Sequence, residues 1–321
     1  MSKLKLTASA VAAVAIVGTA LAAQAPATPP APPPSAPAQA SAWATTLANR
    51  YQVTPDVTYL TASNGFEVKL DVYRRRDVQT PQPTLVFYHG GGWVAGSKDA
   101  ALMSFMPWIE MGWNVVNVGY RLLRVAGAPA AVEDAQCALR YIAAPAQAKQ
   151  FNIDTARIVV TGESAGGHLA LVAGMIPATA GFTSICSGGG FSGFEAAVPP
   201  VAAILNWYGI TDLNDMLAGA NARSYAVQWI GAVPGRNELA KSISPLTYVR
   251  AGLPPILSIH GDADPIVPYS HATRLHEALA KAGVNHELFT VPKGGHGNFN
   301  PEQRTQIYAK IREFLTRIRL S

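Results

Sequence analysis

Hydrophobic positions along this chain fall into two alternating rhythms from Val57 onward. Phe66 to Tyr73 switches between apolar and polar residues with the period of two expected of a half-buried strand. Thr84 to Tyr88, Asn114 to Val118, Arg157 to Val160, Ala202 to Trp207, Pro255 to Ile259 and Glu287 to Val291 are short, β-rich and largely apolar runs. Such runs suit strands buried on both faces. Between them lie helix-like stretches: Asp99 to Met111, Ala130 to Ala148, Ala165 to Met175, Ser270 to Ala282 and Pro301 to Ile318. The alternation predicts an α/β domain with a mostly parallel central sheet and helices on both faces. Two segments interrupt it. Ala178 to Pro199, containing CSGGGFSG, is expected to be a loop. Thr211 to Pro245, helical around Ala222 to Ile230, follows the carboxyl end of a strand and is expected to form a small lid where open α/β sheets bind ligands. No fixed-period repeat is present, which argues against a solenoid or propeller.

Upstream the pattern changes. Lys3 and Lys5 precede a small, apolar run from Leu6 to Leu21, and Ala20-Leu21-Ala22 offers a cleavage site, so residues 1–22 are expected to be a secretory signal peptide. A retained N-terminal anchor is the alternative, because Leu6 to Ala23 is almost long enough to span a bilayer. Residues 23–42 form a Pro/Ala-rich tract without charge that cannot bury enough surface to offset its ordering entropy. That tract is expected to be a disordered linker, leaving a catalytic domain at 43–321. Export, to the periplasm or outside the cell, would permit a disulfide. The two cysteines, Cys137 and Cys186, either pair or remain separate buried thiols.

Charge excludes little beyond nucleic acid. The formal net charge is +5 and becomes +3 without Lys3 and Lys5. Basic residues concentrate only at Arg74 to Arg76 and on the last helix, at Lys310, Arg312, Arg317 and Arg319. No metal-ligand spacing and no phosphate-cradling lysine loop is present, so neither a metal nor another cofactor is expected.

The chemistry starts from VVTGESAGGHLALVAGM, Val159 to Met175. A strand that turns sharply into a helix at Gly162-Glu163-Ser164-Ala165-Gly166 would hold the Ser164 hydroxyl at the top of the sheet, beside a helix N-terminus. A serine nucleophile needs a base, itself oriented by an acid. Of seven histidines, His296 in PKGGHGNF is the candidate, because its glycine-flanked loop follows the last strand. His89 is read as shaping the Gly-rich loop and His260 as a packed neighbour. His168 lies one turn behind the hydroxyl, and His271, His276 and His286 are read as surface positions. Asp262 and Asp264 in HGDADPIVPYS are the acid candidates, with Asp264 favoured by its reach beyond the strand end. The order Ser164, Asp264, His296 is the one this topology produces. Upstream, FYHGGGWVAGS runs past the end of a strand, and the N–H groups of Gly91 and Gly92, joined by Ala165, are assigned as donors to a developing oxyanion.

The combination His89-Gly90-Gly91-Gly92-Trp93, Gly162-Glu163-Ser164-Ala165-Gly166-Gly167-His168, HGDADPIVPYS and GGHGNF resembles the esterase/lipase branch of the α/β-hydrolase superfamily. It is most similar to secreted feruloyl and acetyl-xylan esterase-like proteins, over about Val57 to Ile318. The resemblance implies the α/β-hydrolase fold, Asp264 as the acid with Val267 completing the loop pattern, and oxyanion donors at Gly91 and Gly92. It implies a serine hydrolase of short-chain or carbohydrate-linked esters, small or polysaccharide-borne. Arylformamidases share the tryptophan of HGGGW, and prolyl-oligopeptidase-like peptidases share the acid loop, so both are rival classes. A silent binding module on the same fold is a third. Trp93, Trp207 and Tyr208 are candidate substrate contacts, with Trp229 beside them, although aromatics at strand ends suit a core equally well. Asp212 fits a helix cap as well as a substrate contact.

Overall fold

In the computed structural model, residues 36–187 and 199–320 are described. The expected signal peptide, most of the expected linker and the glycine-rich middle of the loop at Ala178 to Pro199 lie outside the described residues. Trp43–Ser321 forms one compact unit. Of Met1–Ala42, only the start of helix α1 (Ala36–Arg50) is described. That helix corrects the linker expectation over 36–42. Pro37 is the last proline of the tract and sits in the first helical turn, where its missing N–H costs nothing, and the alanine-rich residues after it favour helix.

The chain continues through β1 (Tyr51–Thr61), β2 (Glu67–Arg75), β3 (Gln82–Tyr88), α2 (Leu102–Glu110), β4 (Asn114–Val118), α3 (Ala130–Ala143), α4 (Pro145–Phe151), β5 (Ile153–Glu163) and α5 (Ala165–Met175). It then forms β6 (Ala203–Trp207), α6 (Ser224–Ile230), α7 (Arg236–Ser242), β7 (Ile256–Gly261), α8 (Ser270–Lys281), β8 (His286–Val291) and α9 (Pro301–Arg317). The strands make one eight-stranded sheet in the order β1-β2-β4-β3-β5-β6-β7-β8. β1 and β2 are antiparallel, as are β2 and β4, and every later pairing is parallel.

Strand alternation decides which helices cover which face. Leu85 and Phe87 of β3 join Phe105 and Trp108 of α2 and Ile307, Ile311 and Phe314 of α9 in one core. Val86 and Tyr88, one residue out of step, join Leu139 of α3 and Leu169 and Val172 of α5 in the other. The expected helix over Ala130 to Ala148 divides at Ala144, which is extended (ψ 139°). Pro145 disfavours helical geometry in the residue before it and then opens α4. β1 begins earlier than the alternation suggested, because Pro55 and its polar neighbours are tolerated on a sheet edge.

Cys137 of α3 and Cys186 are joined by a disulfide, with Cα atoms 5.3 Å apart. The parallel pairing has one consequence that matters most. The loops after β3, β5, β6, β7 and β8 all leave the same edge of the sheet.

Candidate active site

Ser164 is the single residue between the end of β5 and the start of α5, with φ 57° and ψ −117°. A positive φ at a residue with a side chain is strained by about 1–3 kcal/mol. The surroundings hold it there: its N–H donates to the Trp207 carbonyl at 2.9 Å and its own carbonyl accepts from the His168 N–H at 3.0 Å. The flanking glycines are required by close approach. A Cβ on Gly162 would lie 2.3 Å from the Gly166 carbonyl oxygen, and one on Gly166 would lie 2.0 Å from that of Tyr88. Only bare backbone lets the elbow pass beneath the end of β3.

Asp264 leaves β7 on a short loop, and its side chain is fully buried. Oδ2 is 2.7 Å from Nδ1 of His296 and 3.3 Å from Nε2 of His260, while Oδ1 accepts the N–H groups of Ile266 (2.8 Å) and Val267 (3.0 Å). Burial alone would push the carboxyl pKa up, but hydrogen bonds from His260, His296 and Ile266 N–H outweigh it and hold the group well below the usual carboxylate range. The other acid candidate, Asp262, is exposed and accepts the Lys293 N–H at 2.6 Å, which closes the neighbouring turn. Tyr208 lays its ring against the His296 imidazole at 4.7 Å and 60°.

Ser164 and His296 open onto one cavity of about 410 Å³ whose wall includes Gly90, Gly91, Gly92 and Tyr208. Gly91 (φ 119°) and Gly92 (φ 61°) take conformations that disfavour any side chain, and a Cβ on Gly91 would strike the Ala95 carbonyl at 2.1 Å. The Gly91 carbonyl accepts from the N–H groups of Val94 and Ala95, so the loop folds back on itself beside Ser164. Ala165 opens α5, where a first-turn N–H has no intrahelical acceptor.

Two expected substrate contacts are core instead. Trp93 is fully buried, stacked on Trp229 (4.2 Å, 11°) and edge-on to His168 (5.1 Å). It therefore joins the glycine loop to α6 and α5 and has no place on the cavity wall. Trp207 is buried against Tyr308 of α9 at 5.8 Å, and its carbonyl is the acceptor for Ser164. Tyr208 lines the cavity.

The remaining histidines are structural. His89 stacks on Tyr120 at 4.3 Å. His168 meets the Ile243 carbonyl through Nε2 at 2.7 Å, and burial drives its pKa down to about 4. His271 and His276, expected at the surface, are buried on the inner face of α8; Nδ1 of His271 accepts the Thr211 N–H at 3.0 Å, and Nδ1 of His276 lies 2.9 Å from Nδ1 of His286. Asp212 accepts the Asn214 N–H at 3.1 Å and pairs with Arg274 of α8, anchoring the insertion rather than facing the cavity.

Sequence reasoning missed Tyr225, Val94, Ile266 and Glu163 on the cavity wall. Tyr225 sits on α6 with its ring against Gly92, so close that a Cβ there would come 2.9 Å from Cγ. Nothing in SYAVQWI distinguishes a wall residue from an ordinary helix position. The Thr211 to Pro245 insertion is thus built into the site: Arg223, just before α6, donates to the carbonyls of Ile266 (2.9 Å) and Pro265 (3.1 Å) in the acid loop.

Comparison with known proteins bears on this arrangement. The chain is 28% identical to esterase LipQ of Mycobacterium tuberculosis over 240 residues, which is 72% of this chain and 53% of that protein. It spans about half the length of the curated relatives it first matches. Among solved structures, a truncated carbohydrate esterase from gut microbiota superimposes with a TM-score of 0.67 at 28% identity, covering 84% of this chain and 98% of that one. Propionate-bound esterase Est2 of Thermogutta terrifontis gives 0.67 at 25% identity, covering 86% and 97%. Both support the α/β-hydrolase fold for this sheet and its helices. The BD-FAE family model matches residues 70–279, from β2 through most of α8 and hence across the Ser164 elbow and the Asp264 loop, and the chain belongs to that family.

Proposed function

We propose that this protein is a serine carboxylic-ester hydrolase in which Ser164 is the nucleophile, His296 the base and Asp264 the acid that orients it. The observation that carries the reading is the 2.7 Å contact between buried Asp264 and His296, made on the wall of the cavity onto which strained Ser164 also opens. His296 removes the proton as the Ser164 oxygen attacks the ester carbonyl, and the N–H groups of Gly91, Gly92 and Ala165 receive the negative charge. His296 then protonates the leaving alcohol. Water, activated by the same imidazole, attacks the acyl-enzyme and releases the acid.

The substrate class is short-chain or carbohydrate-linked acyl esters. Its support is the modest cavity, bounded by Val94, Tyr225 and Ile266, together with similarity to a carbohydrate esterase and to an esterase solved with propionate. Export, with residues 1–22 as the signal, is part of the proposal, and the Cys137–Cys186 disulfide supports an oxidising compartment.

The test is hydrolysis by the protein and by its Ser164→Ala variant of p-nitrophenyl acetate, a long-chain ester, methyl ferulate, acetylated xylan, an aryl formamide and a dipeptidyl anilide. Ser164-dependent release from short esters and acetylated xylan is expected. Activity confined to the formamide or the anilide would move the protein to a different hydrolase class.

A further inference from the structure

Tyr208, the first residue after β6, has φ 39°, a conformation rarely taken by a bulky aromatic residue. Such strain persists only where the surroundings over-determine it, and it collects at functional sites. Here the corner is tied to the strands on both sides of β6. The Trp207 carbonyl accepts the Ser164 N–H at 2.9 Å, just beyond β5, and the Tyr208 N–H donates to the Ile259 carbonyl of β7 at 2.8 Å. The Gly209 N–H then donates to the Asn206 side-chain oxygen at 3.0 Å, which closes the corner. The backbone that carries the Tyr208 ring is therefore bonded directly to the nucleophile elbow.

The ring itself packs on the base. Its centroid is 4.7 Å from that of the His296 imidazole, and its hydroxyl end lies over Gly297, where a Cβ would come 2.5 Å from the Tyr208 oxygen. Edge-on contacts with Phe299 at 5.9 Å and His260 at 6.5 Å hold the ring from other sides, and His260 is itself 3.3 Å from the Asp264 carboxylate. His296 needs such support because it stands in Gly294-Gly295-His296-Gly297, where its neighbours have no side chains to brace the loop. The 2.7 Å contact with Asp264 fixes Nδ1 alone, about which the imidazole could still tilt. We infer that Tyr208 is a positioning residue: its ring, carried on the strained corner after β6, fixes the orientation in which His296 takes the Ser164 proton. The inference rests on the ester-hydrolase reading above.

The experiment compares the protein, Tyr208→Leu and Tyr208→Phe by kcat and KM on p-nitrophenyl acetate and by the rate at which a fluorophosphonate labels Ser164, with thermal melts as the check on folding. Tyr208→Leu stays apolar but has no flat ring to lay against the imidazole. Its kcat and its labelling rate should both fall about 100-fold, the cost of a reacting group misplaced by about 1 Å, with KM nearly unchanged. Tyr208→Phe restores the ring and should recover most of the loss. If Tyr208→Leu does not fold, Tyr208→Asn serves, because asparagine accepts a positive φ, and the same split is expected. A folded ring-less variant with the parent's kcat, or a loss confined to KM as for a substrate contact, would overturn the role of Tyr208. So would a Tyr208→Phe variant as slow as the ring-less one, which would assign the effect to the hydroxyl. A parent protein that neither turns over esters nor labels at Ser164 would overturn the ester-hydrolase reading and this inference with it.

Discussion

Trp93 stacks on Trp229 at 4.2 Å with the two indoles nearly parallel, and this contact joins the glycine loop of the candidate active site to a helix 136 positions later in the chain. His168 completes the cluster, edge-on to both rings, with its imidazole held to the Ile243 carbonyl. The insertion from Thr211 to Pro245 is therefore a fixed wall of the site.

Trp229→Ala removes that stack from a fully buried position. The cavity left behind should lower stability by about 3–5 kcal/mol, and Trp229→Phe should lower it less. Urea denaturation measures both. A cost under about 1 kcal/mol would show that α6 is not packed as described.

Ser164→Gly should separate strain from chemistry. Glycine accepts the positive φ of the elbow, so stability should rise by about 1–2 kcal/mol while turnover falls by about a millionfold. Equilibrium unfolding and ester hydrolysis on one preparation check the two halves. A less stable variant would place the strain elsewhere.

Asp264→Asn leaves the loop's shape nearly intact but takes the charge from beside His296. Hydrolysis should fall by about 10⁴-fold, with KM changed little. Asp262→Asn, in contrast, alters only a turn facing solvent and should retain most activity. Equal losses in the two variants would mean that the acid has been misassigned.

Acid should destabilise the fold through its buried histidines. Burial depresses His168 and His271 to about 4, and burial plus neighbouring His286 depresses His276 to about 3. Each binds its proton more weakly folded than unfolded, so stability is full above the unfolded pKa of about 6.5 and falls as pH drops toward the folded value. The slope should approach about 1.4 kcal/mol per pH unit for each such histidine. Urea midpoints between pH 7 and pH 4.5 should fall accordingly, and His168→Phe should fall less steeply. A flat profile would mean that these rings are already protonated in the native state.

Cys137→Ser with Cys186→Ser opens a loop whose ends are 49 residues apart. Stability should drop by about 2–4 kcal/mol, with the active site unaffected at moderate temperature. Thermal unfolding with and without reductant measures it. Identical melts would show that the bridge does not restrain the unfolded chain.

Much of this was legible in one dimension. Six apolar runs and one alternating run placed seven of the eight strands, because strands buried on both faces are largely hydrophobic and a half-buried strand alternates. Gly162, Ser164 and Gly166 stand out because an elbow needs small neighbours, a constraint that acts within five residues. Glycine loops and an acid and a base beyond successive strands are also local signals, and parallel topology brings them to one edge.

What the sequence could not decide was which side chains at that edge face the cavity. Trp93 and Trp207 belong to the core, while Tyr225, Ile266 and Glu163 line the site, and no local pattern separates the two groups. Their fates depend on contacts between residues far apart in the chain: Trp93 with Trp229, Trp207 with Tyr308, Tyr225 with Gly92. The same holds for His271 and His276, which lie inside because α8 turns that face to the sheet. The sequence by itself determined seven of the strands, the main helices between them and the elbow, since backbone sterics and hydrophobic period act over a few residues. Only the tertiary structure decided the cavity wall, since burial there is set by packing between elements that the chain brings together only when folded.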